Sequence, residues 1–489
     1  MKPGHAYLKN VEKKLESVEA HQAENFIRAG RMMAEAFEQD RLIHVYGGGG
    51  HTCMMVFEMF FRAGGLANIN PILGHDISPM CQALKYLEVE RTTGYGACLI
   101  RYYQVAKGDL LIIFHNIGMN PTTIDAAEEA KTRGRVRRAY LKGLAQCFEV
   151  MWDLAMEMVG RGERVPYERC VVASSGRKPE PSDPGPKRRR VAELLAKAGY
   201  PTGTDDELLA AVDAWRKARL VPKPSIPALG AAFIARYDAL ATQHLVPYLP
   251  PALRPVPRSN ITFLPIKDAW FSGSMNYLGR ARRPDGSPEY EATYEINASL
   301  EISVPEFEQL VSHEVVPGHV TTTAYCQNYY VRGKMGIEAT MLTMNTRHAA
   351  LSEGIANNAI LIAHGVTEID QLPDEDLQAG VLLALLQDDA KNQSSYLTWH
   401  ENLAQPEVAR VLRHDYLCSP ERADKLSGAW GRHPLLGRMY LPAYRAGTDR
   451  VADLRRRFPA EKVLPALYGT SGLVDVVTIG KVLGERAKG

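Results

Sequence analysis

Ser312-His313-Glu314-Val315-Val316-Pro317-Gly318-His319 sets two imidazoles and a carboxylate within a few residues. An apolar, helix-like run from Pro305 to Val311 leads in, and Thr321 to Tyr330 leads out. Histidine is scarce, 14 in 489 residues, so two flanking one Glu exceed what composition supplies. The chemistry this pattern suits is a zinc site. Two neutral imidazoles hold the ion and the adjacent Glu activates its water. The alternative is a pair of structural histidines on a helix.

The spacing matters. In HExxH the histidines are four apart and share one helix face. Here they are six apart, which on a regular helix is about 240° round the axis, so the rings would diverge. Pro317 removes an N–H and Gly318 tolerates unusual dihedrals. The reading therefore requires an irregular helix at Pro317-Gly318 that returns His319 to the His313 side.

A zinc site needs a third ligand. Glu353, in Leu351-Ser352-Glu353-Gly354, lies among Ala349, Ala350, Leu351, Ile355 and Ala356. A carboxylate in such a setting is costly to bury unless paired or metal-bound. His348 is the rival ligand, or a group that orients one. Upstream, residues 259–300 are the most strand-like part of this half. Gly273-Ser274-Met275-Asn276 is the candidate edge strand to pair with a substrate backbone, against an ordinary sheet strand. Downstream, Asp389, Asn392, Gln393, Tyr396 and His400 fall on one helical stripe, read as a solvated face.

HEVVPGH followed by LSEGIANNA resembles a family of predicted bacterial zinc peptidases with a HExxPGH motif, similar to the mostly helical gluzincins. The resemblance implies that His313, His319 and Glu353 bind Zn2+ and that Glu314 is the general base. It also implies a Tyr-rich segment near the site, here Tyr440 to Gly447, where Tyr444 or Arg445 rather than Tyr440 would steady an oxyanion. Ile355-Ala356-Asn357-Asn358 departs from the family, whose members often carry an aromatic after the Gly.

The first quarter of the chain reads differently. Residues 6–39 are helical by spacing. Strand Arg41–Tyr46 runs into Gly47-Gly48-Gly49-Gly50 and a helix from Met54, and a second unit follows: strand Leu110–Phe114, turn His115–Pro121, helix from Thr122. Two β-turn-α units suggest a parallel sheet. IHVYGGGGHT, FRAGGLANINPIL and GDLLIIFHNIGMNP resemble the sugar isomerase (SIS) domain of small phosphosugar-binding proteins. The hydroxyls that family uses to hold the sugar phosphate are replaced at His115 and Ile117. The resemblance ends near residue 134, which implies a truncated domain retained for dimerisation or packing.

The helix from Tyr140 to Gly160 is apolar on more than one side and reads as well buried. Residues 174–187 are loop by composition, helices follow at 190–199, 204–218 and 227–245, and prolines from Pro247 to Pro257 form a connector.

Bulk properties bound the rest. Lys+Arg 58 against Asp+Glu 56 argues for neither a nucleic-acid nor a membrane partner. Seven scattered cysteines without a CxxC, and no opening signal peptide, fit a cytoplasmic protein with free thiols. The expectation is a multidomain chain. Residues 1–134 form a truncated SIS-like α/β domain through which the chain dimerises. Residues 135–489 form a large, mainly α zinc-hydrolase domain with a small β-sheet and a zinc-site core at about 260–489. The expected reaction is metal-assisted cleavage of an amide or peptide bond in a peptide or small molecule. The alternatives are a zinc-dependent tailoring enzyme that spares peptides and a phosphosugar-binding sensor or isomerase-derived protein.

Overall fold

The computed structural model describes residues 3–60, 65–77, 83–105, 109–115, 120–266, 273–277, 283–286, 289–297, 301–332, 343–469 and 474–484. The chain divides into two compact units, Met1–Arg138 and Ala139–Gly489.

In the first unit, α1 (Pro3–Glu38) precedes β1 (Ile43–Gly47), α2 (Gly50–Phe60), β2 (Ile69–Ile72), α3 (Ala83–Val89), α4 (Tyr95–Tyr102), β3 (Leu110–Phe114) and α5 (Pro121–Met158). The three strands form a parallel sheet in the order β2-β1-β3, with His44 opposite Asn70 on one side and Leu111 on the other. Ile43, Val45 and Tyr46 are buried, as the continuous apolar strand demands of a sheet covered on both faces. The imidazole of His44 is tied to Asn70 at 3.0 Å and to Asp109 at 3.2 Å. Near its C-terminal end α1 packs Met33 and Ala36 into the sheet core, whereas Tyr7, Leu15, Phe26 and Ile27 are exposed along its length.

The second unit is mainly helical. It takes in α5 from Ala139 onward and continues with α6 (Tyr167–Ser175), α7 (Gly185–Lys197), α8 (Asp205–Ala218) and α9 (Ile226–His244). Thr204 caps α8 in a reciprocal pair with Glu207, the cap that its sequence announces. A small sheet follows, with β4 (Thr262–Ile266), β5 (Gly273–Tyr277) and β6 (Ala292–Asn297) in the order β4-β6-β5. β5 is antiparallel to β6 and is an edge strand among the described residues. Then come α10 (Val304–Glu314), α11 (His319–Val331), α12 (Arg347–Asn357), α13 (Ala359–Ala363), α14 (Glu375–Trp399), α15 (Gln405–Asp415), α16 (Pro420–Lys425), α17 (Leu441–Arg457), α18 (Ala460–Gly469) and α19 (Ile479–Val482).

Two expectations fail here. α5 buries Leu144, Val150 and Leu154, but Trp152 is 67% exposed and Phe148 and Met158 are also open, so only one face is covered. On α14 the polar stripe is not a solvated face. Asp389, Asn392 and Gln393 are buried, and they hold the Pro-rich segment before α7. Gln393 accepts from the Ser182 N–H, Asn392 donates to Glu180 O and Ser182 Oγ, and Lys187 pairs with Asp389 at 2.7 Å. Tyr396 and His400 stack on each other at 4.6 Å at the end of that helix. α14 is covered on several sides, since Leu382, Leu383 and Leu386 join Trp215, Val408, Leu412 and Leu426 in one apolar core.

Candidate metal centre

The helix that carries His313 stops at Glu314, and a new helix starts at His319. Between them the chain makes two long loops of hydrogen bonding, from Gly318 N–H to Ser312 O at 3.1 Å and from Thr321 N–H to Val315 O at 3.2 Å. Tyr468 donates to Pro317 O at 2.9 Å and fixes the excursion. Gly318 has no room for a side chain, because a Cβ there would lie 1.7 Å from His313 O. The irregularity required by the six-residue spacing is therefore built from local steric demand. Its result is that the His313 and His319 rings meet edge to face, with centroids 4.8 Å apart.

Glu353 arrives from α12, which Thr346 caps through the Ala349 N–H. α12 lies directly on α17. A Cβ on Gly354 would fall 2.2 Å from Gly447 O, and one on Gly447 would fall 1.7 Å from Ala350 O. These two glycines let the backbones touch. They bring Glu353, 5% exposed, to the two imidazoles. Glu353 Oε2 lies 3.4 Å from His313 Nε2 and 3.7 Å from His319 Nε2. It is buried and accepts no hydrogen bond from the described residues. Two ligand atoms on one tetrahedral zinc stand about 3.4 Å apart, given metal–ligand lengths of about 2.1 Å. Both separations from Glu353 Oε2 thus fit an edge of a metal polyhedron better than they fit hydrogen bonds.

The far sides of these side chains are held. His313 Nδ1 meets Asn357 Oδ1 at 2.8 Å and His319 Nδ1 meets Ser352 Oγ at 3.1 Å. Tyr440 donates to Glu353 Oε1 at 2.6 Å. Glu314 is buried, and its carboxylate with the His313 and His319 ring nitrogens forms a set within 4.8 Å of one another.

The electrostatics follow from burial and proximity. Burial works against a His313 cation, but Glu353, Glu314 and Asp388 outweigh it and push the imidazole up to about 9. Burial raises the Glu314 carboxyl despite the pull of His313 and His319. Burial would raise Glu353 too, yet His319 and His313 hold it well below the usual carboxylate range. Burial pushes the Tyr440 and Tyr444 hydroxyls well above their ordinary range, with Glu353 adding to it, so both are donors at neutral pH.

The other candidates are placed as follows. Tyr444 packs on Tyr440 with ring centroids 5.0 Å apart. Arg445 is not brought to the cluster. It donates to Pro181 O at 2.7 Å and pairs with Asp449 at 3.4 Å, because its side chain leaves α17 towards the Pro-rich segment. His348 meets Val474 O at 3.2 Å and packs edge-on against Tyr140, away from the ligand set. β5, the candidate substrate strand, runs beside α10 and α11, with its side chains outside the described residues. Sequence reasoning passed over Ser352, Asn357 as a histidine partner, and Lys391. Lys391 is 8% exposed, pairs with Asp388 at 2.7 Å and sits 3.3 Å from the Tyr444 ring centroid. Lys391 lies in a polar stretch, Gln387-Asp388-Asp389-Ala390-Lys391-Asn392-Gln393, which gave no local sign of its burial.

In the first unit, the turn after β1 spends its polar groups internally. Gly48 O accepts from Asn120 Nδ2 at 2.8 Å and Thr122 Oγ1 at 3.1 Å, and the Gly49 N–H donates to Thr52 Oγ1. Ile117 in the second turn lies outside the described residues.

Comparison with known proteins agrees for this unit. Residues 6–136 match the SIS domain family model. A UPF0309 protein of Listeria monocytogenes serotype 4b is 35% identical over 24% of this chain and 48% of its own. Another, from Thermoanaerobacter pseudethanolicus, is 36% identical over 26% of this chain and 52% of its own. The chain thus spans about half the length of the curated relatives it matches. The N-terminal unit is accordingly a SIS-like part with a parallel sheet, followed by a large, mainly helical remainder. Among solved structures, the crystal structure of the "putative lipoprotein" from Colwellia psychrerythraea is similar at a TM-score of 0.49 and 14% identity, covering 65% of this chain and 54% of its own. Among the described residues no helix is long and apolar enough to cross a membrane.

Proposed function

We propose that the second unit is a zinc-dependent hydrolase that cleaves an amide or peptide bond, with His313, His319 and Glu353 as metal ligands and Glu314 as general base. The observation that carries the reading is the buried Glu353 Oε2, which accepts no hydrogen bond from the described residues and faces two imidazole nitrogens at near-tetrahedral edge lengths. When bound there, zinc would supply a Lewis acid and an acidified water. Glu314, desolvated and next to both histidines, takes the proton of the attacking water and delivers it to the leaving nitrogen. Tyr444, a protonated phenol packed on Tyr440, is the candidate donor to an oxyanion.

The SIS-like unit is a dimerisation module in this reading, not a catalyst. Exposed Tyr7, Leu15, Phe26 and Phe37 on α1 support a second copy of the chain as partner, and the internally bonded glycine turn offers little to a sugar phosphate.

The test is metal content and turnover of the full chain beside Glu314→Gln, on a panel of N-acyl amino acids and peptides. About one zinc per chain in both, with turnover lost by roughly 10²–10⁴-fold in the variant alone, supports the proposal. Wild-type protein that binds no zinc from a buffered supply overturns it.

A further inference from the structure

Lys391 is a buried ammonium that the hydrolytic chemistry does not use. It lies on α14, one turn after Asp388, whose Oδ1 it reaches at 2.7 Å. Asp388 is buried as well, so the pair takes two charges out of water. Apolar side chains of similar volume often do as well for stability as such a pair. What the pair gains is a position. Asp389, Asn392 and Gln393 of α14 hold the Pro-rich segment, whereas Lys391 is turned to α17. Its Nζ sits 3.3 Å from the centre of the Tyr444 ring, well within the range of a cation over an aromatic face. Tyr444 meets Tyr440, four residues before it, with ring centroids 5.0 Å apart and planes at 65°. Tyr440 donates to Glu353 Oε1 at 2.6 Å. It also closes the wide turn Leu436–Tyr440, and α17 begins at the next residue. Lys391, Tyr444, Tyr440 and Glu353, from α14, α17 and its leading turn, and α12, thus form one unbroken series of contacts.

We propose that Lys391 is a positioning residue for the Glu353 carboxylate, acting through the Tyr444 and Tyr440 rings. The ammonium, tethered by Asp388, fixes the face of Tyr444. Tyr444 packs on Tyr440 edge to face, a geometry that depends on the orientation of both rings, so a fixed Tyr444 keeps Tyr440 from swinging off Glu353. With Oε1 held by Tyr440, Oε2 stays turned to His313 and His319. A charge serves this purpose better than an apolar side chain. It is drawn to the centre of the ring face, where a methyl or thioether group would slide. The role rests on the reading of Glu353 as a metal ligand and deepens it: α14, which gives the site no ligand, helps to set its affinity for zinc.

The experiment is chelator competition for zinc on the full chain, with wild type, Lys391→Met, Tyr440→Phe and the two changes combined. Methionine keeps the length of the lysine and drops its charge. Lys391→Met should weaken zinc binding by about 3–10-fold, less than the loss of a group that touches the ligand itself. In the Tyr440→Phe background the same change should cost less than about twofold, because the contact it acts through is gone. That pattern supports the positioning role. Equal losses in the two backgrounds, as general loosening of the fold would give, overturn it. So does an unchanged affinity in Lys391→Met or in Tyr440→Phe. Lys391→Met leaves Asp388 buried without its partner; where that variant does not fold, Asp388→Leu combined with Lys391→Met removes both charges and is read in its place. Wild type that binds no zinc sinks the metal-site reading and this role with it. Wild type that binds zinc as tightly as Lys391→Met does sinks this role alone.

Discussion

Tyr440 donates its hydroxyl to Glu353 Oε1 at 2.6 Å, and this bond leaves Oε2 turned to His313 and His319. Tyr440 is thus a positioning residue for the Glu353 carboxylate. Tyr440→Phe removes the donor and lets the carboxylate rotate. Zinc affinity, measured by chelator competition, is expected to fall by about 10–100-fold, as for other groups that orient metal ligands. An unchanged affinity would separate Tyr440 from the site.

The His313 ring is oriented by a chain of three bonds. Thr448 Oγ1 donates to Tyr444 O at 2.8 Å and accepts from Asn357 Nδ2 at 2.8 Å, so Asn357 presents Oδ1 to His313 Nδ1 at 2.8 Å. In its neutral form His313 then carries the proton on Nδ1 and keeps the Nε2 lone pair for a metal. Asn357→Asp keeps an acceptor and should retain zinc. Asn357→Leu removes it and should lose about 10-fold or more in zinc affinity, read by the same competition. Equal affinities in the two variants would contradict this orientation.

The break between His313 and His319 was legible because their spacing carried a physical contradiction. Histidines six apart cannot share a regular helix face, and Pro317-Gly318 is the place where the helix breaks. Glu353 was legible as a carboxylate among small and apolar neighbours. What brings Tyr440 to it was not. That contact depends on Gly354 and Gly447 letting α12 and α17 touch, a relation between residues 93 positions apart that no local period reports. α14 misled for a related reason: its polar stripe is helical in period, but period says which residues share a face, not what covers it. Asp389, Asn392 and Gln393 face a loop whose carbonyls and N–H groups need partners, so the stripe is buried. Trp152 erred the other way, its apolar character counting as burial although it is largely exposed among the described residues.

The α12–α17 contact makes its own prediction. A methyl group at Gly447 would meet Ala350 O at 1.7 Å and one at Gly354 would meet Gly447 O at 2.2 Å, both backbone atoms that cannot swing away. Gly354→Ala and Gly447→Ala should each destabilise the second unit by about 1–3 kcal/mol or more through forced separation of the helices. Urea unfolding at constant slope measures this, and zinc affinity should fall with it because Glu353 moves with α12. A stable Gly447→Ala variant with full zinc affinity would show that the close approach is not needed.

Stability should also depend on pH through a histidine outside the His313–Glu353 cluster. Burial, with Arg236 and His244 nearby, lowers His364 from 6.5 to about 4. Its ring packs edge-on against Tyr237 at 5.8 Å. Below pH 6.5 the unfolded chain takes up a proton at this position that the folded chain refuses until about pH 4, so stability falls as pH drops through that window and the loss ends below it. Glu308 in the same cluster acts in the opposite sense, since burial raises its carboxyl and makes the folded chain the better proton binder. The net slope therefore mixes both, and the informative quantity is a difference. His364→Gln cannot titrate, so the gap in urea midpoint between wild type and variant should shift in favour of the variant between pH 6.5 and 4 and stay constant above pH 7. A gap independent of pH across that window would mean that His364 takes a proton as readily in the folded chain as in the unfolded one.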